Sequence, residues 1–288
     1  MKIALIGYGK MGRMIESVAL SRGHEIACVI DPLTSTQTFD SPAFRSADVA
    51  IEFTRPEAAE QNVRAALAQG VPVVSGTTGW DVAALQASLK HSNPQTLKHS
   101  NPQTLKHSNP QTLKHSNPQT LKPSNTQTLK PSTLNSQPSP PFREGQGVGF
   151  PPGVIWSSNY SIGVNILFAV NKYLAQLLHN TGGYQPSITE VHHIHKLDAP
   201  SGTAKTLAET INSQPSTLNC PIQSIREGEV PGIHEVRWES EADILTLRHE
   251  AKSRQGFALG AVMAAEWLQG KTGWHSMTEV LGVEDLKI

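Results

Sequence analysis

The chain has 288 residues, with 24 lysines and arginines against 24 aspartates and glutamates, and two cysteines. Zero net charge offers no general field for nucleic acid or an acidic membrane surface, and Cys28 and Cys220 are too few for a disulfide framework. No stretch approaches the ~20 apolar residues of a membrane span, and Met1-Lys2 leads directly into an apolar run with no secretory h-region, so a cytoplasmic protein is expected.

Ile3–Ile6 is a fully apolar run, as in a central parallel strand. Gly7-Tyr8-Gly9-Lys10-Met11-Gly12 follows at once, and Met11–Leu20 has helical spacing before Gly23. Ile26–Ile30 is a second apolar strand, closed by Asp31, 19 residues after Gly12. A G-x-G-x-x-G run alone says little. Between a strand and a helix, with an acid at the end of the next strand, it is the dinucleotide fingerprint. The first two glycines let the backbone turn and approach a pyrophosphate, the third lets helix and strand pack, and Asp31 accepts from ribose hydroxyls. Pro32 follows Asp31, with no arginine beside it to receive a 2′-phosphate. That favours NADH over NADPH, although Arg13 and Arg45 are placed to reach the corner.

Asp48–Phe53 reads as a third strand, and Thr54 as the cap of a helix from about Pro56 to Gln69, stopped by Gly70. Val71–Ser75 is a fourth strand leading into Gly76-Thr77-Thr78-Gly79, a small turn at the carboxyl end of a parallel strand, where doubly wound sheets bind ligands. Asp81–Lys90 is another helix. Then Leu-Lys-His-Ser-Asn-Pro-Gln-Thr occurs in four identical tandem copies over 89–120, with decayed copies at 121–128 and 129–136. Each copy has a proline and one aliphatic residue, too little apolar surface to offset the entropy of ordering. Residues 91–150 are therefore expected to be a disordered surface insertion. The same vocabulary returns in Asn212–Asn219, a second, shorter insertion.

Val154–Trp156 is a strand, followed by Ser157-Ser158-Asn159-Tyr160-Ser161 and an apolar helical pattern over Ile162–Leu178. Strands follow at Ser187–His192, Ile233–Ser240 and Ile244–Glu250, and a helix at Phe257–Gln269, ended by Gly270. The expected fold is α/β: a Rossmann-like doubly wound parallel sheet plus a second α+β domain with a mixed or antiparallel sheet. Residues 1–157 and 258–288 form the dinucleotide-binding domain in this division, and 158–257 a substrate-binding and oligomerisation domain.

Glu190–Ala204 places three imidazoles and an ammonium within five residues (His192, His193, His195, Lys196) ahead of a helix capped by Ser201. Three readings compete. One is a solvated polar loop. Another is a zinc site from His192, His193 and His195, against which adjacent strand residues point to opposite faces. The third is a site for an acidic small molecule, with the free N–H groups of the helix start as anion donors and Lys196 and a histidine as proton carriers. Arg248, His249, Lys252 and Arg254 form a basic cluster that either attracts the anion or pairs with Glu239, Glu241 and Glu250. His195, Arg226 and His234 are left without a role.

Gly7–Gly12, Ile51–Glu57, Gly76–Gly79, Ser158–Asn165, Glu190–Ala204 and His249–Gly260 come in one order that closely resembles the 4-hydroxy-tetrahydrodipicolinate reductase family. The likeness spans almost the whole chain outside the insertions. It implies reduction of the dihydrodipicolinate species to tetrahydrodipicolinate with NADH or NADPH, in lysine and diaminopimelate biosynthesis. It implies further that His192 is the acid–base histidine and Lys196 the proton donor, and that His193, Gly202 and Thr203 hold the carboxylates of a small dicarboxylate substrate. Gly7, Tyr8, Gly9, Lys10, Met11, Gly12, Asp31, Gly76, Thr77, Thr78, Ser157, Ser158, Asn159 and Tyr160 would lie along the dinucleotide, and the assembly would be a homotetramer. Neither nucleic acid, membrane nor metal is expected as a partner. Two rivals remain: another imine or amino-acid dehydrogenase on the same fold, and a nucleotide-binding protein without turnover.

Overall fold

Short runs of apolar residues pair into the first sheet of the computed structural model, which describes residues 1–91, 152–213 and 219–283. The strands are β1 (Lys2–Ile6), β2 (Glu25–Ile30), β3 (Val49–Glu52), β4 (Val73–Ser75), β5 (Val154–Trp156) and β10 (Trp274–His275). They lie in the order β10-β5-β4-β3-β1-β2, every pair parallel. Successive side chains of a strand face opposite layers, and β1 shows the consequence. Ile3 and Leu5 join the core under α1 (Lys10–Ser21) and α7 (Gln255–Leu268). Ala4 and Ile6 join the core shared with α2 (Pro42–Arg45), α3 (Pro56–Ala68) and α4 (Val82–His91). The sheet is thus covered on both faces, and α7 supplies Ala258, Ala261, Val262, Ala265 and Leu268 to the first layer.

The second sheet holds β6 (Gln185–His192), β7 (Ile222–Arg226), β8 (Ile233–Glu239) and β9 (Ile244–Glu250) in the order β7-β6-β8-β9. It is mixed: β6 and β7 are parallel, the other pairs antiparallel. α5 (Ile162–Thr181) and α6 (Gly202–Asn212) cover one face, burying Leu167, Leu178, Leu207 and Ile211 against Ile188, Val236 and Trp238. Along β6 every second residue is buried, so Ile188, Glu190 and His192 share the covered face. Two polar groups thereby occupy the end of a core stripe, which sets up the site.

Several expectations are corrected. Thr54 does not cap α3: the cap position is Arg55, without a side-chain bond, and the Thr54 hydroxyl turns to Glu52. β7, β10, α2 and α8 (Met277–Leu281) were not anticipated from the sequence. The 91–150 insertion, apart from His91, and most of the Asn212–Asn219 segment lie outside the described residues. Among those described, no helix is long and apolar enough to cross a membrane.

Candidate active site

The β1–α1 turn has the closeness that a phosphate cradle requires. Gly7 has φ +91°, and a Cβ there would lie 2.2 Å from the carbonyl oxygen of Phe53. A Cβ on Gly12 would lie 2.2 Å from the carbonyl oxygen of Gly7, whereas one on Gly9 would meet nothing within 4 Å. Gly7 and Gly12 are therefore required by the fold, and Gly9 leaves open space beside the turn. Tyr8, Lys10 and Met11 surround that turn. Asp31 accepts from the N–H groups of Tyr8 (2.9 Å), Leu33 (2.9 Å) and Thr34 (3.2 Å). Its slight burial pushes the carboxyl up, but these bonds outweigh that and hold it below the usual aspartate range. Arg45 is bonded to Gln69 at 2.8 Å, and Arg13 lies over the Tyr8 ring, 5.4 Å from its centroid.

The Gly76–Gly79 turn rests on a buried carboxyl group. Glu52 is fully buried and accepts from Ser75 Oγ (2.6 Å), Thr77 Oγ1 (2.8 Å) and Thr54 Oγ1. Three hydroxyls supply the polar partners that a buried carboxyl requires. Thr77 Oγ1 also accepts from the Thr54 N–H (2.8 Å), and its carbonyl accepts from Trp80 and Trp156. A Cβ on Gly76 would strike the Phe53 ring at 2.2 Å. Tyr160 is 2% exposed, and its hydroxyl donates to the carbonyl of Ser75. The side chains of Thr77 and Tyr160 thus serve the core, leaving only their main chains for a ligand.

The opposite wall comes from the second sheet. At the end of β6, His192 Nδ1 donates to Glu190, which is itself fully buried. Glu190 also accepts from Arg226 Nη2 (2.9 Å) and from the N–H of Ser201 (3.3 Å). Burial alone would raise the Glu190 carboxyl, but its hydrogen bonds and the nearby cations outweigh that and hold it below the usual range. Burial pushes the His192 imidazole down, against the pull of Glu190. Lys196 Nζ donates to Asp198 at 2.7 Å, and that bond leads the effects holding the Asp198 carboxyl low. Ser201 caps α6 by accepting from the N–H of Ala204 at 3.2 Å, and Gly202 and Thr203 form the first turn. Their N–H groups belong to the set that no helix can satisfy internally.

One cavity of about 450 Å³ joins the two halves. Thr78, Ser158 and Asn159 line it from the nucleotide side, and His192, His193, Lys196, Gly202 and Thr203 from the other. Asn159 Nδ2 donates to Thr203 Oγ1 at 3.2 Å across the gap. His249 and Arg254 of the basic cluster also face it, as does His234, to which the sequence attached no role. The basic cluster therefore divides: Arg248 pairs with Glu235 (3.2 Å) and Glu250 (2.9 Å), away from His249 and Arg254. His195 is exposed and lies 3.4 Å from Glu229. Among the described residues, the group close enough to hold a metal ion is Glu190, His192 and His234, a different set from that weighed in the sequence. The Arg226 guanidinium on Glu190 opposes a second cation there.

His234 is 4% exposed, and its Nε2 lies 3.2 Å from Ser201 Oγ. Burial first, then the charge of His192, push its imidazole down to about 4. The unfolded value is about 6.5. Between those values the unfolded chain binds a proton that the folded one refuses, so stability falls as pH drops. From pH 7 to pH 5 this group alone is expected to cost about 2 kcal/mol. Urea unfolding of wild type and His234→Gln at both pH values checks it: the variant should lose about 2 kcal/mol less. Equal losses would remove His234 from the account.

The sequence profile described as "Dihydrodipicolinate reductase, N-terminus" matches residues 1–96, and that described as "Dihydrodipicolinate reductase, C-terminus" matches residues 163–281. The chain is 35% identical to 4-hydroxy-tetrahydrodipicolinate reductase of Christiangramia forsetii, over 98% of each chain. It is 29% identical to the same-named enzyme of Ralstonia nicotianae, over 98% of this chain and 100% of that one. Among solved structures, a dipicolinate-bound dihydrodipicolinate reductase from Paenisporosarcina sp. TG-14 superposes with a TM-score of 0.63 at 19% identity, covering 97% of this chain and 98% of that one, a likeness of fold. With both halves matched and relatives aligned end to end, the chain belongs to the dihydrodipicolinate reductase family.

Proposed function

We infer that the chain reduces 4-hydroxy-tetrahydrodipicolinate, the dihydrodipicolinate species, to tetrahydrodipicolinate with a nicotinamide dinucleotide, in lysine and diaminopimelate biosynthesis. The observation that carries this reading is the single cavity in which Thr78 and Asn159 of the nucleotide side meet His192, His193, Lys196, Gly202 and Thr203. A ring dicarboxylate needs two anion sites and a proton source close to the cofactor. The α6 N-terminus with His193 and Arg254, and the Lys196 ammonium, supply that set. Bound at Gly7–Gly12, Asp31, Gly76–Thr78 and Ser157–Tyr160, the dinucleotide supplies the hydride. Reduction of a conjugated ring imine leaves an electron-rich enamine that must gain a proton at carbon. We assign that donation to Lys196 and the balancing acid–base role to His192. The substrate carboxylate competes with Asp198 for the ammonium, so binding frees Lys196 from its present partner.

NADH is the preferred cofactor in this reading, because an ionised Asp31 repels a 2′-phosphate and Arg45 is turned to Gln69. The domain division is kept as 1–157 with 258–288, and 158–257 between, with closure of the two over the substrate excluding water. A cytoplasmic homotetramer is proposed. β9 is exposed along most of its length, including Ile244 and Leu245, and that surface suits burial against another copy. The test is steady-state NADH and NADPH oxidation with freshly generated substrate, with dipicolinate as competitor. Turnover inhibited competitively by dipicolinate is expected. Nucleotide binding without turnover would favour the non-catalytic rival, and turnover only of other imines the different dehydrogenase.

The described elements that flank the long insertion meet it at the opposite end of the sheet from this cavity. α4 closes at His91 and β5 opens at Val154, which is in register with Val73 at the amino end of β4. The cavity is reached from the carboxyl ends of the same strands, through the Gly76–Gly79 turn. Deleting 91–146 is expected to leave kcat within a few-fold of wild type, measured in the same assay; a loss beyond tenfold would make the segment part of the working enzyme.

A further inference from the structure

Arg226 sits on β7, beside the final residue of β6 and outside the Glu190–Ala204 stretch. Its guanidinium makes four contacts. Nη2 donates to Glu190 Oε1 (2.9 Å) and to the carbonyl of Asp198 (2.6 Å), Nε to the carbonyl of Lys196 (3.3 Å), and Nη1 to the carbonyl of Ile225 (2.8 Å). Glu190, on the covered face of β6, divides its two oxygens. Oε2 takes His192 Nδ1, while Oε1 takes Arg226 and the N–H of Ser201. The same ion pair therefore touches the histidine, the backbone carbonyls of Lys196 and Asp198, and the start of α6.

We propose that Glu190 and Arg226 are positioning residues that act as one unit, setting His192 and Lys196 in register with each other; this rests on the reductase reading above. The carboxylate on Nδ1 leaves Nε2 as the free nitrogen of His192. That nitrogen lies toward Gly232, where a Cβ would come within 3.1 Å of it. A planar fork with fixed donors can hold two carbonyls and a carboxylate together, which an ammonium on a flexible stem cannot. Lys196 lies on a loop that leaves Ile194 and Leu197 exposed to solvent; its own N–H is bonded within the loop, to the carbonyl of His193 at 3.1 Å, and the Ile194 N–H reaches the carbonyl of Gly228 at 3.1 Å. Without the fork, the loop that carries the proton donor is free to move relative to the histidine. A misplacement of about 1 Å is enough to cost two orders of magnitude in rate.

The test is Arg226→Lys, which keeps the charge and removes the fork, made in wild type and in Lys196→Ala. In wild type kcat is expected to fall by 10²-fold or more, with the KM for NADH within twofold. In the Lys196→Ala background the same change should lower kcat by less than about threefold, because residues acting through one another do not add. Equal falls in the two backgrounds would overturn the proposal. Hydrogen exchange of the 193–200 segment, read without substrate, is expected to quicken in Arg226→Lys, and an unchanged rate would also overturn it. Because exchange needs no turnover, it judges the positioning even if wild type fails to reduce the substrate, an outcome that would sink the reductase reading separately. Should Arg226→Lys not fold, Glu190→Gln serves in its place. It retains an acceptor for Arg226 but loses the anion on Nδ1, and the same drop in kcat at constant NADH KM is expected.

Discussion

Replacing Lys196 with alanine is expected to lower kcat by about 10²–10⁴-fold while NADH binds as before. The size follows from the role: an enamine carbon is a poor base in water, and a positioned acid is worth that much in a proton transfer. Lys196 is the one lysine on the cavity among the described residues, and its side chain is about a quarter exposed and paired with a more exposed Asp198. An ion pair of this kind contributes little to stability, so the variant should unfold within about 0.5 kcal/mol of wild type. Stopped-flow fluorescence of bound NADH and steady-state turnover read the two halves of the expectation. A fall below tenfold would move the proton donation to His192 or to water. A loss of NADH affinity equal to the loss of rate would make Lys196 a binding residue instead.

The second large effect separates two glycines that share one motif. Gly12→Ala puts a Cβ 2.2 Å from the Gly7 carbonyl oxygen, a backbone atom with nowhere to go. Helix α1 must shift off the turn, at a cost of about 1–3 kcal/mol in stability. The distorted turn should bind NADH about 10–100-fold more weakly, a comparable energy. Gly9→Ala has open space and should leave thermal stability nearly untouched. If a pyrophosphate approaches the backbone at Gly9, that variant alone loses NADH affinity without losing stability. Titration of NADH against both, alongside thermal unfolding, distinguishes the cases. Wild-type affinity in Gly9→Ala would mean that the dinucleotide does not approach the turn there.

Apolar runs and glycine spacing made the first sheet readable apart from β10, because its central strands β1, β3 and β4 are buried on both faces. The mixed second sheet was half visible. β7 escaped because Ile222–Arg226 holds only two isoleucines and follows directly on low-complexity sequence. α8 had a signal that went unread: Ser276 and Glu279 form a reciprocal capping box. In the site, His192, His193, Lys196, Gly202 and Thr203 were named in advance and do line one cavity, together with Thr78, Ser158 and Asn159. Arg226 and His234 had no role in the sequence reading, and His249 entered it only as one of a basic cluster. They reach the site through strand pairing, His234 opposite Glu190 and His249 opposite His234, which no local pattern announces. Glu190 falls inside the expected Ser187–His192 strand but carried no role there; its alternation with His192 on a buried face shows only once the strand's covered side is known.

The most direct measurement is the fate of the hydride. Incubated with freshly generated 4-hydroxy-tetrahydrodipicolinate and NADH carrying two deuterons at the nicotinamide C4, the enzyme should form tetrahydrodipicolinate with one deuterium per turnover, as read by mass spectrometry. Product without label, or labelled cofactor recovered unoxidised while still bound, would contradict the account.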